Sequence, residues 1–376
     1  MGEAVDWTHP APVKDMKILV AGDWHSQVHE EPAARALQTL GHAVMRFAWH
    51  PYFAAPQSRF GDLQRISRKF QNKYMVGPLF NRLNHDLMKA VARERPDLLF
   101  VYRGTHITNS TLRAARRLLS STLIVGYNND DPFSPHYPRW MWRHFISALP
   151  EYDLILAYRH RNLDDFRNAG ARDVRLLRSW FVPELNHPVA LSPEDRAQFE
   201  CDVVFVGHNE PDGRLELLEE IAQRGFRLRL FGPYKGFGKQ GWHPFIDKSP
   251  RLRYLAPVHL VWGEDYNKAL CGAKVALCFL SKMNRDSYTR RCFEIPATKT
   301  MMLSEYTDDL ASLFREGVEA DFFRSPDELI AKLRLYINDD TLRQTVAEAG
   351  YRRVYADGHD VVSRMRQMLN WVQEIK

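Results

Sequence analysis

The densest run of ionisable side chains is Ser281–Glu294, SKMNRDSYTRRCFE, which sets Lys282, Arg285, Arg290 and Arg291 beside Asp286 and Glu294. It follows the apolar run KVALCFL (Lys274–Leu280) and leads into a helical pattern. Cations and free backbone N–H groups at a strand-to-helix junction suit a phosphate or diphosphate. A carboxylate such as Glu294 can accept two ribose hydroxyls. The same composition also describes a solvated loop with local ion pairs. Two neighbouring turns add to the set. Gly207-His208-Asn209 precedes a helix whose N-terminus suits a phosphate, and the glycines of Gly232-Pro233-Tyr234-Lys235-Gly236-Phe237-Gly238 permit close backbone approach to a base or ribose. No G-x-G-x-x-G occurs, so no dinucleotide fingerprint is present, and ordinary βα turns would also account for both segments.

In the first half, Asp23-Trp24-His25 and His29-Glu30 follow the first apolar strand pattern. A histidine there can act as a general base on a substrate hydroxyl, can bind a sugar or phosphate, or can be a solvated loop residue. Asn128-Asn129-Asp130-Asp131-Pro132 ends another strand; its carboxylates can orient a hydroxyl or form a simple Asp-Pro turn. The His25–His29 spacing admits a metal in principle, but no third ligand is evident.

The elements that must position these residues alternate short apolar runs with helical patterns, the signature of parallel α/β domains. Strands are expected at Lys17–Gly22, Ala43–Trp49, Asp97–Tyr102, Leu123–Tyr127, Asp153–Tyr158 and Val174–Leu177, each covered on both faces. The alternation restarts with strands at Asp202–Gly207, Arg227–Gly232, Lys274–Leu280, Thr300–Ser304 and Ala320–Phe323. Between the halves, FVPELNHPVALSPEDRAQFE (Phe181–Glu200) carries three prolines and no periodicity and reads as a linker. Ser325-Pro326-Asp327-Glu328 is a capping box that starts a helix. The expected organisation is a flexible 1–15, a first domain over 16–182, a linker over 183–200, a second domain over 201–357 and a C-terminal helix over 358–376 that can cross back to the first domain. The fold class is α/β, two doubly wound domains facing across a cleft, with ligands at the carboxyl ends of the strands.

The 376 residues suffice for two cores, and 52 Lys+Arg against 46 Asp+Glu give a mildly basic +6. That balance excludes an acidic disordered chain and does not suggest a nucleic-acid binder. No apolar run approaches the ~18 residues of a membrane span, and MGEAVDWTHPAPVKD has no apolar signal core, so a cytoplasmic protein is expected. The four cysteines contain no C-x-x-C pair and read as buried, reduced thiols. Arg59–Lys73 sets Arg59, Arg65, Arg68, Lys69 and Lys73 against Asp62 alone, with Leu63, Ile66, Phe70 and Tyr74 at helical spacing. Such a helix can lie on an anionic membrane surface, at the inner face of the membrane, or pack on its own domain.

Arg291-Cys292-Phe293-Glu294-Ile295-Pro296-Ala297, Met302-Leu303-Ser304-Glu305 and Thr307 resemble the C-terminal half of glycosyltransferases of the spore-maturation-protein CgeB type, grouped with the glycosyl transferases group 1 families. The likeness continues through Leu313-Phe314, Glu316-Gly317, Glu319-Ala320-Asp321-Phe322-Phe323, Ser325 and Glu328-Leu329, and ends with Ala347, Gly350 and Arg364. It covers about Cys201–Arg364. The resemblance implies a GT-B fold of two Rossmann-like domains, with the acceptor held mainly by the first and the nucleotide-sugar mainly by the second. Asp286-x7-Glu294 is similar to the E-x7-E signature of glycosyltransferase family 4. By that likeness Glu294 binds the nucleotide ribose, Asp286 faces the donor sugar, and Arg291 reaches the diphosphate with Arg290 and Lys282 in support. Tyr254–Val258 resembles the segment whose backbone reads the base, which brings Val258 into the donor set.

Two positions depart from the family: Asp286 is one methylene shorter than Glu, and Lys299 stands where Gly is usual. At Lys299 either the turn differs or the side chain itself approaches the phosphates. The expected activity is transfer of a sugar from a nucleotide diphosphate-sugar to a hydroxyl of a glycan, lipid-linked or small-molecule acceptor. A UDP-sugar is the first donor candidate, with GDP- or dTDP-sugars as alternatives. No cofactor or metal is expected, because the likeness assigns the departing diphosphate to protein cations. The signature leans towards retention; inversion would require His25, Asp23 or Asp130 as base. A non-hydrolysing nucleotide-sugar epimerase and a non-catalytic two-lobed binding protein are the rival readings.

Overall fold

The computed structural model describes residues 15–54, 61–235 and 241–375. The N-terminal 1–14, Arg59 and Gly236–Gly238, to which the sequence reading assigned roles, lie outside the described residues. The chain divides into two compact units. One contains the chain up to Pro132, Pro138–Leu177 and Met365–Lys376; the other contains Phe133–Tyr137 and Arg178–Arg364.

The first unit runs β1 (Lys17–Gly22), α1 (Glu30–Thr39), β2 (Ala43–Ala48), α2 (His50–Phe53), α3 (Gly61–Tyr74), α4 (Pro78–Glu94), β3 (Leu98–Tyr102), α5 (Asn109–Leu118), β4 (Leu123–Asn128), α6 (Arg143–Ser147), β5 (Leu154–Ala157), α7 (His160–Asn168) and β6 (Val174–Leu176). The strands form one sheet in the order β2-β1-β3-β4-β5-β6, every pair parallel. The reversal of direction between β1 and β3 makes a switch point at their carboxyl ends. β3, LLFVY, is buried at every position, as a strand covered on both faces must be. β2 departs from that expectation: it is an edge strand, and only Phe47 of its six residues is buried.

The second unit runs α8 (Pro193–Phe199), β7 (Cys201–Val206), α9 (Arg214–Gln223), β8 (Leu228–Phe231), α10 (His243–Ile246), α11 (Glu264–Cys271), β9 (Ala273–Cys278), α12 (Arg291–Ala297), β10 (Met301–Glu305), α13 (Asp308–Leu313), β11 (Asp321–Phe323), α14 (Pro326–Asn338), α15 (Asp340–Ala356) and the first turn of α16 (Val361–Glu374). Its sheet is parallel, in the order β11-β10-β9-β7-β8, with the switch point between β7 and β9. One core joins Val203, Phe205, Leu230, Val275, Leu277 and Leu303 of the strands to Leu218, Leu329 and Leu333 of the helices.

The stretch read as an aperiodic linker holds α8. Ser192 accepts the Asp195 N–H and the Asp195 carboxylate accepts the Ser192 N–H, a capping box whose acid is the shorter Asp. At α14 the expected start is present, with the Ser325 side chain accepting the Glu328 N–H. α16 begins in the second unit, and Met365, Met368, Leu369 and Val372, which belong to the first, are fully buried. Arg175 pairs with Glu374 and lies 5.7 Å from the Trp371 ring centroid. Among the described residues no helix is long and apolar enough to cross a membrane.

Candidate functional site

In the second unit, the loops that follow β7 and β9 leave adjacent parallel strands on either side of the switch point. Ser281 Oγ donates to Glu210 Oε2 at 2.8 Å and ties them together. Glu210 Oε1 also meets His208 Nε2 at 2.8 Å. Burial pushes the Glu210 carboxyl up, but the His208 bond, the Arg214 charge and the Ser281 bond outweigh it and hold the group below its ordinary value. Arg214 is buried at the start of α9, 5.7 Å from the ring centroids of both Phe205 and Phe279. Its guanidinium forks onto Asp212 and donates to the His208 carbonyl at 2.8 Å. None of Glu210, Asp212, Arg214 and Ser281 was among the residues assigned from sequence. A buried acid inside a βα turn is their one local signal.

Gly207, Gly232 and the segment around Val258 come together through their backbones. The Gly207 N–H donates to the Phe231 carbonyl at 2.9 Å and the Gly232 N–H to the His259 carbonyl at 2.9 Å. Trp242 Nε1 donates to the Gly207 carbonyl at 2.8 Å. A Cβ on Gly232 would lie 2.0 Å from the Gly207 oxygen. The close approach that selects glycine here is therefore between the two turns, which corrects the expectation that Gly232 is bare for a ligand's sake. The Val258 side chain is buried in the core, so a nucleotide could meet only the backbone there.

Beyond β9, Glu294 sits in the first turn of α12 with its side chain buried. Tyr266 of α11 donates its hydroxyl to Glu294 Oε2 at 2.7 Å, and Arg290 Nε lies 2.9 Å from Oε1. Burial first, and the facing carboxylate second, push the Tyr266 phenol well up, so it stays a donor. Two carboxylate oxygens offer about four acceptor positions, so Glu294 keeps capacity for further hydroxyls while its rotamer is held from both sides. Arg291 follows Arg290 at the helix start, in the electrostatic field of Tyr266 and Glu294, and its Nε has no hydrogen-bond partner among the described residues. Lys282 is exposed and pairs with Glu305 Oε1 at 3.0 Å, while Glu305 Oε2 accepts the Leu280 N–H at 2.6 Å. Asp286 lies on the same loop, its N–H bonded to the Ser281 carbonyl at 2.9 Å. Tyr137 also belongs to this unit and donates to Asn284 Oδ1 at 3.0 Å. Neither Tyr137 nor Tyr266 could be paired with this loop from local sequence, since each lies many residues away.

The departure at Lys299 is resolved by its backbone. Lys299 adopts φ +59°, the left-handed conformation that glycine would supply after a helix end. Its amine pairs with Glu348 at 2.9 Å and lies 4.5 Å from the Tyr351 ring centroid. The turn is kept, and the side chain is committed to α15. Of the cysteines, Cys278 and Cys292 approach to 3.6 Å between sulfurs in the buried interior and are not bonded.

In the first unit, Asp23 and His25 lie beyond β1 as expected. His25 is exposed and stacks on His50 at 4.4 Å, and His50 Nδ1 is 3.8 Å from Asp23. His29 stacks instead on Tyr102, so the His25–His29 spacing does not converge on one point. Asp130 is held by Arg103 at 2.7 Å, beyond β4. β3 separates β1 from β4, which puts these two groups about 10 Å apart across the sheet. Asp131 is fully buried and accepts Asn162 Nδ2 at 2.9 Å, a structural role.

Glu30, at the start of α1, turns its carboxylate back onto the Asp23 N–H at 2.9 Å. A Cβ on Gly22 would lie 2.5 Å from it, so the acid fills the turn where a doubly wound sheet offers an anion its amides. Burial raises the Glu30 pKa above 4.5, against the lowering effect of its own, the Asp23 and the Trp24 amides. The folded state therefore binds this proton more tightly than the unfolded chain, and stability falls as pH rises from about 4.5 through the raised value. Glu30→Gln removes this titration. Urea unfolding at pH 4 and pH 7 should show the wild type losing stability relative to Glu30→Gln at the higher pH; a pH-independent difference between the two refutes the assignment.

Residues 214–370 match the family described as glycosyl transferase-like. No protein of curated function matches the sequence. Among solved structures, HepE of Anabaena, crystallised with UDP-glucose, is similar with a TM-score of 0.67 at 15% identity, covering 96% of this chain and 100% of that one. Sucrose-phosphate synthase of Thermosynechococcus elongatus is similar with a TM-score of 0.69 at 14% identity, over 96% of this chain and 99% of its own. A protein of Listeria monocytogenes described as a putative UDP-N-acetylglucosamine 2-epimerase gives 0.57 at 11% identity, over 96% of each. The chain has the GT-B fold of two Rossmann-like domains, and its residues 214–370 form a glycosyl transferase-like domain.

Proposed function

We propose that this protein transfers a sugar from a nucleotide diphosphate-sugar, a UDP-sugar first, to a hydroxyl of a glycan, lipid-linked or small-molecule acceptor. The observation that carries the reading is Glu294, buried at the start of α12 and held by Tyr266 and Arg290 inside the glycosyl transferase-like domain. A carboxylate fixed in this way is prepared to accept both ribose hydroxyls without losing rotamer entropy on binding. Arg291 and Arg290, with Lys282, supply positive charge where negative charge builds on the departing diphosphate, a task protein cations can perform without a metal. The UDP-sugar preference draws on the HepE complexes, which contain UDP-glucose and UDP.

Retention is the stereochemical outcome favoured by the Asp286-x7-Glu294 likeness. If the reaction inverts, the exposed His25 or Asp23 is the better base, because Asp130 is paired with Arg103. The Glu210–His208–Ser281 bonds, on this reading, fix the two turns that hold the donor.

Thermal-shift measurements with UDP, GDP, dTDP, CMP and ADP and their sugar conjugates test this proposal. One nucleotide, UDP first, should stabilise the fold by roughly 2.7 kcal/mol at about 100 times its dissociation constant. No shift with any nucleoside diphosphate at millimolar concentration overturns the donor-site reading. Since an epimerase shares the fold, a product assay with donor alone separates the two: conversion without an acceptor identifies an epimerase.

A further inference from the structure

Helix α3 is fastened to its unit through its polar side. Arg68 donates to the carbonyls of Tyr52 and Ala54 at 3.2 and 3.0 Å, Gln71 Oε1 accepts the Leu79 N–H at 2.8 Å, and Asn72 Oδ1 meets His106 Nε2 at 2.8 Å. These three residues fall on one side of the helix and attach it to its own unit. On the opposite side, at helical spacing, Leu63 is 82% exposed, Ile66 61% and Phe70 55%, followed by the exposed Tyr74 and Val76. Phe70 and Tyr74 rings pack at 4.7 Å, and Tyr74 packs on Trp140 at 5.1 Å. A helix that only covers its own domain turns its apolar stripe inward. This one presents a continuous apolar stripe outward, a feature that marks an interaction surface on soluble proteins.

The charges beside the stripe select the partner. At 100° per residue, Lys69 and Lys73 border the apolar stripe on one side, with Arg65 beyond them. All three are exposed, while Asp62 is the only acid on the helix. Apolar side chains in the middle, aromatic rings with a polar edge at one end and cations along the border form the arrangement that lies in the headgroup layer of an anionic bilayer. A protein partner or a second copy would need acids placed opposite these lysines. A bilayer needs only anionic headgroups and acyl chains.

We infer that the outward face of α3, Leu63, Ile66, Phe70 and Tyr74 with Lys69 and Lys73, docks the protein on an anionic lipid surface. The inference does not depend on the transferase reading.

The test is co-sedimentation of the full chain with vesicles of phosphatidylcholine, with and without phosphatidylglycerol. Wild type should bind the anionic vesicles, and binding should weaken as salt rises. Lys69→Ala/Lys73→Ala should lower the partition coefficient about 25-fold, near fivefold for each cation at the surface. Ile66→Ser/Phe70→Ser should lower it at least about tenfold. Because all four side chains are exposed, both variants should keep the wild-type Tm. Failure of the wild type to bind anionic vesicles overturns the inference, as does undiminished binding by either variant. A lipid-free dimer in sedimentation velocity that Ile66→Ser/Phe70→Ser abolishes would also overturn it and assign the face to a second copy.

Discussion

Replacing Glu294 with alanine should lower the affinity for the nucleoside diphosphate proposed as donor by about 10- to 100-fold in isothermal titration. Hydrogen bonds to a charged acceptor contribute about 1.5–3 kcal/mol, and a factor of ten corresponds to about 1.4 kcal/mol. The variant also deprives the Tyr266 hydroxyl and the Arg290 guanidinium of their shared acceptor. Some loss of stability will accompany the loss of binding, and the two must be separated. Glu294→Gln does this. Gln keeps the shape and an oxygen for Tyr266 but turns its amide NH2 towards Arg290, so it should lose less stability than Glu294→Ala while nucleotide affinity falls by about tenfold. A folded Glu294→Ala protein with wild-type affinity for every nucleoside diphosphate would remove Glu294 from the site and, with it, the observation on which the donor reading stands.

A second large effect is expected at Asp212, where stability rather than binding is the primary readout. The Asp212 and Arg214 side chains are 4% and 2% exposed, and they pair bidentately through the Nε–Nη2 edge of the guanidinium. Asp212→Ala leaves a buried guanidinium with, among the described residues, the His208 carbonyl and, at 3.7 Å, Glu210. Breaking one side of a buried pair costs about 3–5 kcal/mol, and Glu210 should hold the loss near the lower figure. Asp212→Ala/Arg214→Met should recover much of it, because methionine can lie against Phe205 and Phe279 where the guanidinium now stacks. Chemical denaturation of the two variants decides the matter. A loss under about 1 kcal/mol in the single variant would mean that Arg214 reaches water or another anion.

Most of the two sheets was legible in the sequence because their strands are buried on both faces and read as unbroken apolar runs, as in LLFVY of β3 and KVALCFL around β9. β2 was harder, since an edge strand is apolar only in part. α8 was hidden because its cap uses Asp195 instead of Glu or Gln, and the three prolines around it look like punctuation. The loop proposed to hold the donor was legible for a different reason: its charges crowd into one short stretch, so Lys282, Arg290, Arg291 and Glu294 announce themselves together. What completes them does not. Tyr266 comes from a helix 28 residues upstream, and Glu210 and Arg214 come from the far side of the switch point. Periodicity can place such residues on helices and strands, but only the strand order β9-β7 brings Ser281 to Glu210. Gly232 shows the opposite limit. Its identity suggested a ligand, yet the atom it avoids is the Gly207 oxygen.

The return of α16 to the first unit has a consequence for anyone wishing to study one half of the protein alone. Neither half is a contiguous stretch of chain. A fragment ending at Leu177 would lack Met365, Met368, Leu369 and Val372, all fully buried, together with the Glu374 partner of Arg175. It would expose the apolar surface those side chains cover and would be expected to aggregate. Supplying the last turns of α16 through a short flexible linker after Leu177 should restore a soluble first half. A second half that begins at Arg178 can stop at Arg364, within the helix, but it also forgoes Phe133–Tyr137 and the Tyr137–Asn284 bond. Independent production of the two halves is therefore a problem of rejoining strands of chain, not of finding a cleavable linker.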